Sequence, residues 1–221
     1  MIAIYGHPFS SHCWKVYIAL RERGLDWDAR TVDPTLPEHQ AFCREAAPTG
    51  QFPVLDHDGH VVIESAAIVE YLDGLGEAAP MVPKDRDAAI EARQMDAVFD
   101  DYLNAPVGRI VLNELRPETC RDAFGVAEVR EKMTQAYRWL DGWMTGRDWA
   151  AGAFGIADCA AAPALFYAYW VHPIPMDLRA LHSYRKRLLT RPSVAATVDD
   201  ARFFRPYFPF KTDTDPDWLP S

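Results

Sequence analysis

The chain has 221 residues, of which 49% are hydrophobic and 25% charged, and it carries a formal net charge of −9 with a pI of about 5.2. This size allows one large domain or two small ones, and the acidic balance argues against nucleic-acid binding, which usually needs a basic face. No apolar run approaches the length of a membrane span, and the first residues do not resemble a signal peptide, so we expect no membrane partner.

The first 75 residues alternate strand and helix patterns. Strands are predicted at "IAIYG" and "DARTV", and "FPVLDHDGHVVIES" reads as a hairpin that turns at Asp56 to Gly59. Helices are predicted from Cys13 to Gly24, where apolar residues recur with helical spacing, at "PEHQAFCREA", and at "SAAIVEYLDGLG" with Ser65 as its cap. The resulting order is βαβαββα.

The chain changes character near Pro83, after the linker "EAAPMVPK". Beyond this point no strand is predicted, and helical patterns cover Asp85–Leu115, Phe124–Thr145, Ile156–Tyr169, Leu178–Thr190 and Ser193–Ala201. The tail from Arg205 contains four prolines and cannot be helical throughout, and we expect its Tyr207, Phe208 and Phe210 to pack back on the body. We therefore predict two domains, residues 1–76 and 84–221.

The four cysteines are scattered and form no CxxC pair: Cys13, Cys43, Cys120 and Cys159. In a chain of this size they indicate reduced thiols and a cytoplasmic protein without structural zinc. His7, His12 and Cys13 could in principle hold a metal ion, but the end of a strand followed by the start of a helix is the simpler interpretation, so no metal is expected.

Two serines precede the first predicted helix. Serine is a favoured N-cap, so Ser10 or Ser11 can simply cap that helix. The same position also suits an anion, because the first N–H groups of a helix are unpaired and its dipole is positive there. If the anion were a thiolate, a serine hydroxyl would donate a further hydrogen bond and lower the pKa of the thiol.

Two further stretches suit a bound peptide. Pro53 opens an apolar strand, where proline belongs at an edge. A cis peptide before it would leave the backbone of Phe52 free to pair with a ligand, although a plain edge proline explains the residue equally well. Glu64 and Ser65 lie where the last strand meets a helix, and they could hold an ammonium and a carboxylate, or merely cap that helix.

These stretches together resemble the cytosolic glutathione transferases, over nearly the whole chain. "SSHCWKVYIALRERG", "PTGQFPVL" and "DGHVVIESAAIVEYL" are similar to the thioredoxin-like domain of that family, and "GIADCAAAPALFYA" is similar to a helix of its all-helical domain. The resemblance implies an α/β thioredoxin-like N-terminal domain, an all-α C-terminal domain and a homodimer. The chain resembles the serine-type, bacterial-like members of the family and has some similarity to the zeta class, which isomerises maleylacetoacetate. The zeta class has a cysteine where this chain has His12.

The resemblance also implies roles for single residues. Ser10 would hydrogen-bond the glutathione sulfur, with Ser11 as the close second and Tyr5 as the tyrosine-type alternative. Cys13 would suggest the cysteine-type members of the family, but it falls on the apolar face of the predicted helix, so we interpret it as a core-packing residue. The remaining residues that would hold glutathione are Phe52 and Pro53 beside its cysteinyl part, Glu64 and Ser65 at its γ-glutamyl group, and His39, Gln40 and Gln51 at its glycine end.

In the helical half, Asp158 matches a buried capping aspartate, with Gly155 in the place usually held by serine or threonine. The second substrate is expected between the halves, near Tyr102, Val107, Ile110, Val111, Phe166 and Tyr169. The implied function is a detoxifying transferase that moves alkyl or aryl groups onto the sulfur of glutathione, its co-substrate. The alternatives are a glutathione-dependent isomerase, a disulfide reductase, or a non-catalytic scaffold on the same fold.

Overall fold

The structure is a computed structural model that describes residues 1–210. The last part of the domain that we predict over 84–221, residues 211–221, lies outside the described residues. Within residues 1–210, no helix combines the length and the apolar character that crossing a membrane requires.

The N-terminal half is a four-stranded mixed sheet with helices on both faces. The strands are β1 (Ile2–Gly6), β2 (Asp28–Thr31), β3 (Val54–His57) and β4 (His60–Ile63), and the helices are α1 (Ser11–Arg23), α2 (Pro37–Ala46) and α3 (Ser65–Leu72). In the sheet order β2-β1-β3-β4, β1 pairs parallel with β2 and antiparallel with β3, which forms a hairpin with β4. The predicted βαβαββα order and thioredoxin-like fold are confirmed.

Helix α1 shows how the sequence sets its own ends. It begins after Ser10, whose hydroxyl oxygen accepts the N–H of Cys13, and it ends at Gly24, which adopts the left-handed conformation at φ 61°. Gly6, just before it, faces the Cys13 sulfur so closely that a Cβ there would lie 2.7 Å from that atom. The glycine therefore lets β1 and α1 pack against each other.

The C-terminal half is helical throughout its described part. The helices are α4 (Arg86–Phe99), α5 (Ala105–Glu114), α6 (Ala123–Met144), α7 (Ile156–Val171), α8 (Arg179–Leu189) and α9 (Pro192–Ala201), with short 3₁₀ segments at Glu118–Cys120 and Arg202–Tyr207. Helix α7 is apolar on nearly every face and lies at the centre, packed against α1 and α4.

Two predictions about helix limits are wrong. The single helix predicted over Asp85–Leu115 is interrupted by a π-helical turn, Asp100–Asn104, which joins α4 to α5. A π turn inserts one residue within an otherwise α-helical stretch, and because the apolar spacing on each side of it is still helical, periodicity predicts one continuous helix. Ser65 does not cap α3: it is the first helical residue, and Glu64 is the N-cap, with φ 68°.

Asp158 occupies the structural position that the sequence predicts. Its buried carboxylate accepts the N–H groups of Ala150 and Gly155 (3.0 Å each) and the hydroxyl of Tyr184 (2.6 Å). Burial raises its pKa to about 6, an effect that these hydrogen bonds oppose. At Gly155 a Cβ would lie 2.5 Å from the carbonyl oxygen of Met81, so a side chain there would collide with backbone.

Candidate active site

Two hydrogen bonds hold the loop that leads into the first turn of α1. The indole Nε1 of Trp14, within α1, donates to the carbonyl oxygen of Pro8 (2.6 Å), and the hydroxyl of Tyr167 on α7 donates to the carbonyl oxygen of Phe9 (3.0 Å). The first bond ties the loop to α1, and the second ties it to the helical half. The positive end of the α1 dipole thus points to a fixed place between the two halves of the protein.

Two pockets adjoin this turn. The polar pocket, defined by His12, Gln51, Phe52, Pro53, Glu64 and Ser65, encloses about 450 Å³ including the solvent at its mouth. The apolar pocket encloses about 880 Å³, and its lining includes Phe9, Val107, Val111, Leu115, Tyr167 and Phe208.

The polar pocket contains five of the predicted glutathione-binding residues, Gln51, Phe52, Pro53, Glu64 and Ser65. The peptide bond between Phe52 and Pro53 is cis, which was one of the two alternatives left open by the sequence. Glu64 adopts a left-handed φ that is strained for a residue with a side chain. Ser65 follows it and is buried, with its backbone N–H among the first of α3, which have no partner within the helix.

His39 and Gln40 do not line the polar pocket. The Nδ1 of His39 lies 2.7 Å from the carbonyl oxygen of Thr31, so its ring is held against the end of β2. The side-chain oxygen of Gln40 accepts from Arg44, one turn further along α2 (2.9 Å). The structure therefore separates these two residues from the other five.

Ser10 and Ser11 line the apolar pocket. The Ser10 oxygen accepts the Cys13 N–H at 3.4 Å, and its hydroxyl hydrogen can rotate toward either the buried Cys13 sulfur or a ligand. Capping and donation to a sulfur anion are therefore compatible in one residue. Tyr5 has a different environment: its ring stacks on Phe42 of α2 at a centroid distance of 4.1 Å, and it lines neither pocket.

The thiol of Cys13 is not set up as a nucleophile. The residue is fully buried, and burial raises the pKa of its thiol to about 11, although hydrogen bonds from Ser10 and the His7 backbone oppose the rise. The sulfur accepts the backbone N–H of His7 at 3.4 Å. Among residues 1–210, no cluster of three His, Cys, Asp or Glu side chains is arranged to hold a metal ion.

Of the six residues expected near the second substrate, two, Val107 and Val111, line the apolar pocket. The other four face elsewhere: Tyr102 is largely exposed, Ile110 and Phe166 are buried in the core, and Tyr169 packs beneath the guanidinium of Arg185. The apolar pocket is also lined by residues that the sequence patterns did not assign to it: Phe9, Asn104, Tyr167, Tyr207 and Phe208.

The tail contributes part of that lining. Phe208 packs against Phe9 and Trp170, at centroid distances of 6.0 and 5.0 Å, and Phe210 packs on Phe208. Tyr207 is mostly exposed, although it reaches the mouth of the pocket. Folding back is therefore confirmed for the two phenylalanines, and an aromatic cluster closes one side of the apolar pocket.

Comparison with known families agrees with this geometry. The sequence profile described as "Glutathione S-transferase, N-terminal domain" matches residues 4–80, and that described as "Glutathione S-transferase, C-terminal domain" matches residues 83–192. The chain belongs to the glutathione S-transferase family. Every residue that lines the polar pocket lies within residues 4–80. The pocket of this glutathione S-transferase family member is therefore formed by the segment that matches the N-terminal family profile.

Individual relatives are distant. A probable maleylacetoacetate isomerase 2 of Drosophila melanogaster is 25% identical over 186 residues, 80% of each chain. A probable maleylacetoacetate isomerase of Caenorhabditis elegans is 36% identical over 90 residues, but this match covers only 41% of this chain and 42% of the relative. A glutathione S-transferase of Methylobacillus flagellatus KT, solved with glutathione bound, superposes with a TM-score of 0.80 at 26% identity and covers 89% of this chain and 98% of that one.

Proposed function

We propose that this protein binds glutathione in the polar pocket and activates its thiol, at the first turn of α1, for attack on a small electrophile held in the apolar pocket. The observation that carries the proposal is the meeting of these two pockets at one helix N-terminus. An anion at that position is favoured by the helix dipole and by unpaired N–H groups. The solved relative with bound glutathione supports the same ligand.

Each end of the ligand has matching chemistry. The Glu64 carboxylate suits the ammonium of the γ-glutamyl group, while the N–H and hydroxyl of Ser65 suit its carboxylate. The backbone of Phe52 would pair with the cysteinyl part, which directs the thiol toward α1 and Ser10. The Ser10 hydroxyl then donates to the sulfur anion, and much of the rate enhancement comes from holding this anion beside the electrophile.

Calorimetric titration with glutathione tests the binding step. We expect the parent to bind glutathione, and Glu64→Gln to weaken binding roughly 10- to 100-fold, as expected for the loss of one charge-assisted hydrogen bond. Glu77→Gln removes the same charge from an exposed position outside both pockets and serves as the control. A parent that does not bind glutathione would refute the proposal and favour a scaffold role on this fold.

A second candidate is isomerisation with glutathione returned unchanged, which the similarity to the Drosophila isomerase favours. Product analysis by mass spectrometry separates the possibilities. A conjugate of higher mass indicates transfer, an isomer of unchanged mass indicates isomerisation, and glutathione disulfide indicates reduction of a disulfide substrate. We further propose a cytoplasmic homodimer acting in detoxification; sedimentation at micromolar concentration tests the dimer.

A further inference from the structure

His12 lies where the polar pocket and the apolar pocket meet. Of the residues lining the two pockets described above, it is the one that both share. It lies in the first turn of α1, two residues after Ser10, and its side chain remains accessible. A ligand reaching from the polar pocket into the apolar pocket would therefore pass this imidazole.

Asn104 determines which ring nitrogen carries the hydrogen. The side-chain nitrogen of Asn104 lies 3.2 Å from Nε2 of His12 and donates to it, so the neutral ring has its hydrogen on Nδ1. Within residues 1–210 the ring makes no other hydrogen bond, which leaves the Nδ1–H for a ligand. Asn104 is itself buried, and it also lines the apolar pocket.

The π-helical turn accounts for this contact. It begins at Asp100, whose carboxylate lies 2.5 Å from the ammonium of Lys15, and it ends at Asn104. Lys15 and His12 are three residues apart and share one face of α1. The ion pair thus docks the π turn on the first turn of α1, and π turns frequently occur at functional sites.

Withdrawal of the ring from water, rather than the neighbouring charges, favours the neutral imidazole. Burial of the ring lowers its pKa and Lys15 lowers it further, which outweighs the raising effects of the Asp100 and Glu64 carboxylates. A neutral imidazole with a fixed N–H is a hydrogen-bond donor that gives up no proton. Such a group suits a reaction in which negative charge develops on an oxygen.

We propose that His12, with its tautomer fixed by Asn104, is a catalytic residue that donates its Nδ1–H to the oxygen of an α,β-unsaturated carbonyl substrate. This inference rests on the proposed function and names the substrate class. The sulfur lone pair forms a bond to the β carbon, the C=C electron pair shifts toward the carbonyl, and the negative charge lies on its oxygen. Protonation of the α carbon by water completes a conjugate. Rotation about the new C–C single bond, followed by loss of the thiolate, gives an isomer instead.

The test compares two electrophiles, an unsaturated ketone and an alkyl iodide, whose displacement puts no charge on oxygen. His12→Phe should lower kcat for the ketone roughly 10²-fold more than it lowers kcat for alkylation, as for the loss of one oxyanion donor. His12→Gln, which retains an N–H, should recover part of the loss. His60→Gln, at an exposed histidine outside both pockets, is the control and should match the parent.

A structural readout is independent of turnover. Nitrogen-15 NMR of the histidine rings should show His12 neutral and protonated on Nδ1 at pH 7.5. Asn104→Asp presents only acceptors, so it should move the hydrogen to Nε2 and lower kcat for the ketone without an equal change in the KM for glutathione.

Three results would overturn the inference: equal losses for both electrophiles, no loss for either, or an Nε2–H tautomer in the parent. If the parent binds glutathione and turns over both probes but fails on these points, only the role of His12 is wrong. If it does not bind glutathione, the proposed function and this inference fail together.

Discussion

The buried ammonium of Lys15 joins the two halves of the protein, and its removal should be costly. Its Nζ lies 2.7 Å from Asp96 and 2.5 Å from Asp100, and only 1% of its side chain is exposed. Burial alone would lower the Lys15 pKa, but the two carboxylates outweigh burial and raise it. Lys15 is therefore charged at neutral pH, and it compensates the carboxylates on the helical half.

The magnitude follows from these distances. At an effective dielectric of about 20, each contact contributes about 6 kcal/mol of attraction, whereas withdrawing each ion from water costs several kcal/mol. The net value of the cluster is therefore small. Lys15→Met, however, leaves two carboxylates without a cation, and we expect it to lower the free energy of unfolding by about 3–5 kcal/mol.

Urea unfolding followed by tryptophan fluorescence measures this loss. The matched variant Lys15→Met/Asp96→Asn/Asp100→Asn removes all three charges and should recover most of the stability. Burial raises the pKa of Asp96, and the single variant removes the Lys15 charge that opposes this rise, so the stability deficit of Lys15→Met should shrink as the pH falls toward 5. A loss below about 1 kcal/mol for Lys15→Met, or no recovery in the triple variant, would refute this reasoning.

Three further perturbations test separate parts of the structure. Asp158→Ala leaves three hydrogen-bond donors without an acceptor and should lower the free energy of unfolding in urea by about 3–5 kcal/mol. Burial raises the pKa of Asp158 to about 6 from an ordinary 3.8, so the folded parent binds this proton more tightly than the unfolded chain and loses stability between pH 4 and 6. The stability advantage of the parent over Asp158→Asn, which does not titrate, should therefore narrow over that range. Gly155→Ala places a Cβ against the Met81 carbonyl and should lower the free energy of unfolding by about 1–3 kcal/mol. Gly142→Ala, with open space around its Cβ, should not destabilise the protein, and thermal melts of both variants measure the difference. Glu64→Gly relieves a left-handed φ and should raise stability by about 1 kcal/mol while weakening glutathione binding, and Glu64→Gln should weaken binding without the gain; an equal gain in both variants would contradict the role of backbone strain.

The fold was largely predictable because its local signals are strong. The cap at Ser10, the stop at Gly24 and the turn at Asp58 and Gly59 define elements that the structure contains nearly residue for residue. The polar pocket was predictable for a related reason. Phe52 and Glu64 flank a hairpin whose antiparallel pairing brings its two ends together.

The apolar pocket was harder to predict because it depends on the packing of distant segments. Asn104 ends the π turn and contacts His12 of the other half, and helical spacing does not predict a contact between residues so far apart in the sequence. His39 lies away from the polar pocket because the rotation of α2 presents its ring to the Thr31 carbonyl instead. Helical spacing identifies a buried face but does not separate a core position, such as Phe166, from a pocket position, such as Tyr167.

The central claim is that the first turn of α1 activates a bound thiol, and ultraviolet thiolate absorbance of glutathione on the protein, titrated against pH, tests it most directly. We expect bound glutathione to ionise well below its free pKa, and Ser10→Ala to remove most of that shift while Ser11→Ala retains it. Each unit of lowering requires about 1.4 kcal/mol, which one or two hydrogen bonds to an anion supply. Glutathione that binds but titrates alike on the parent and on Ser10→Ala would contradict the account.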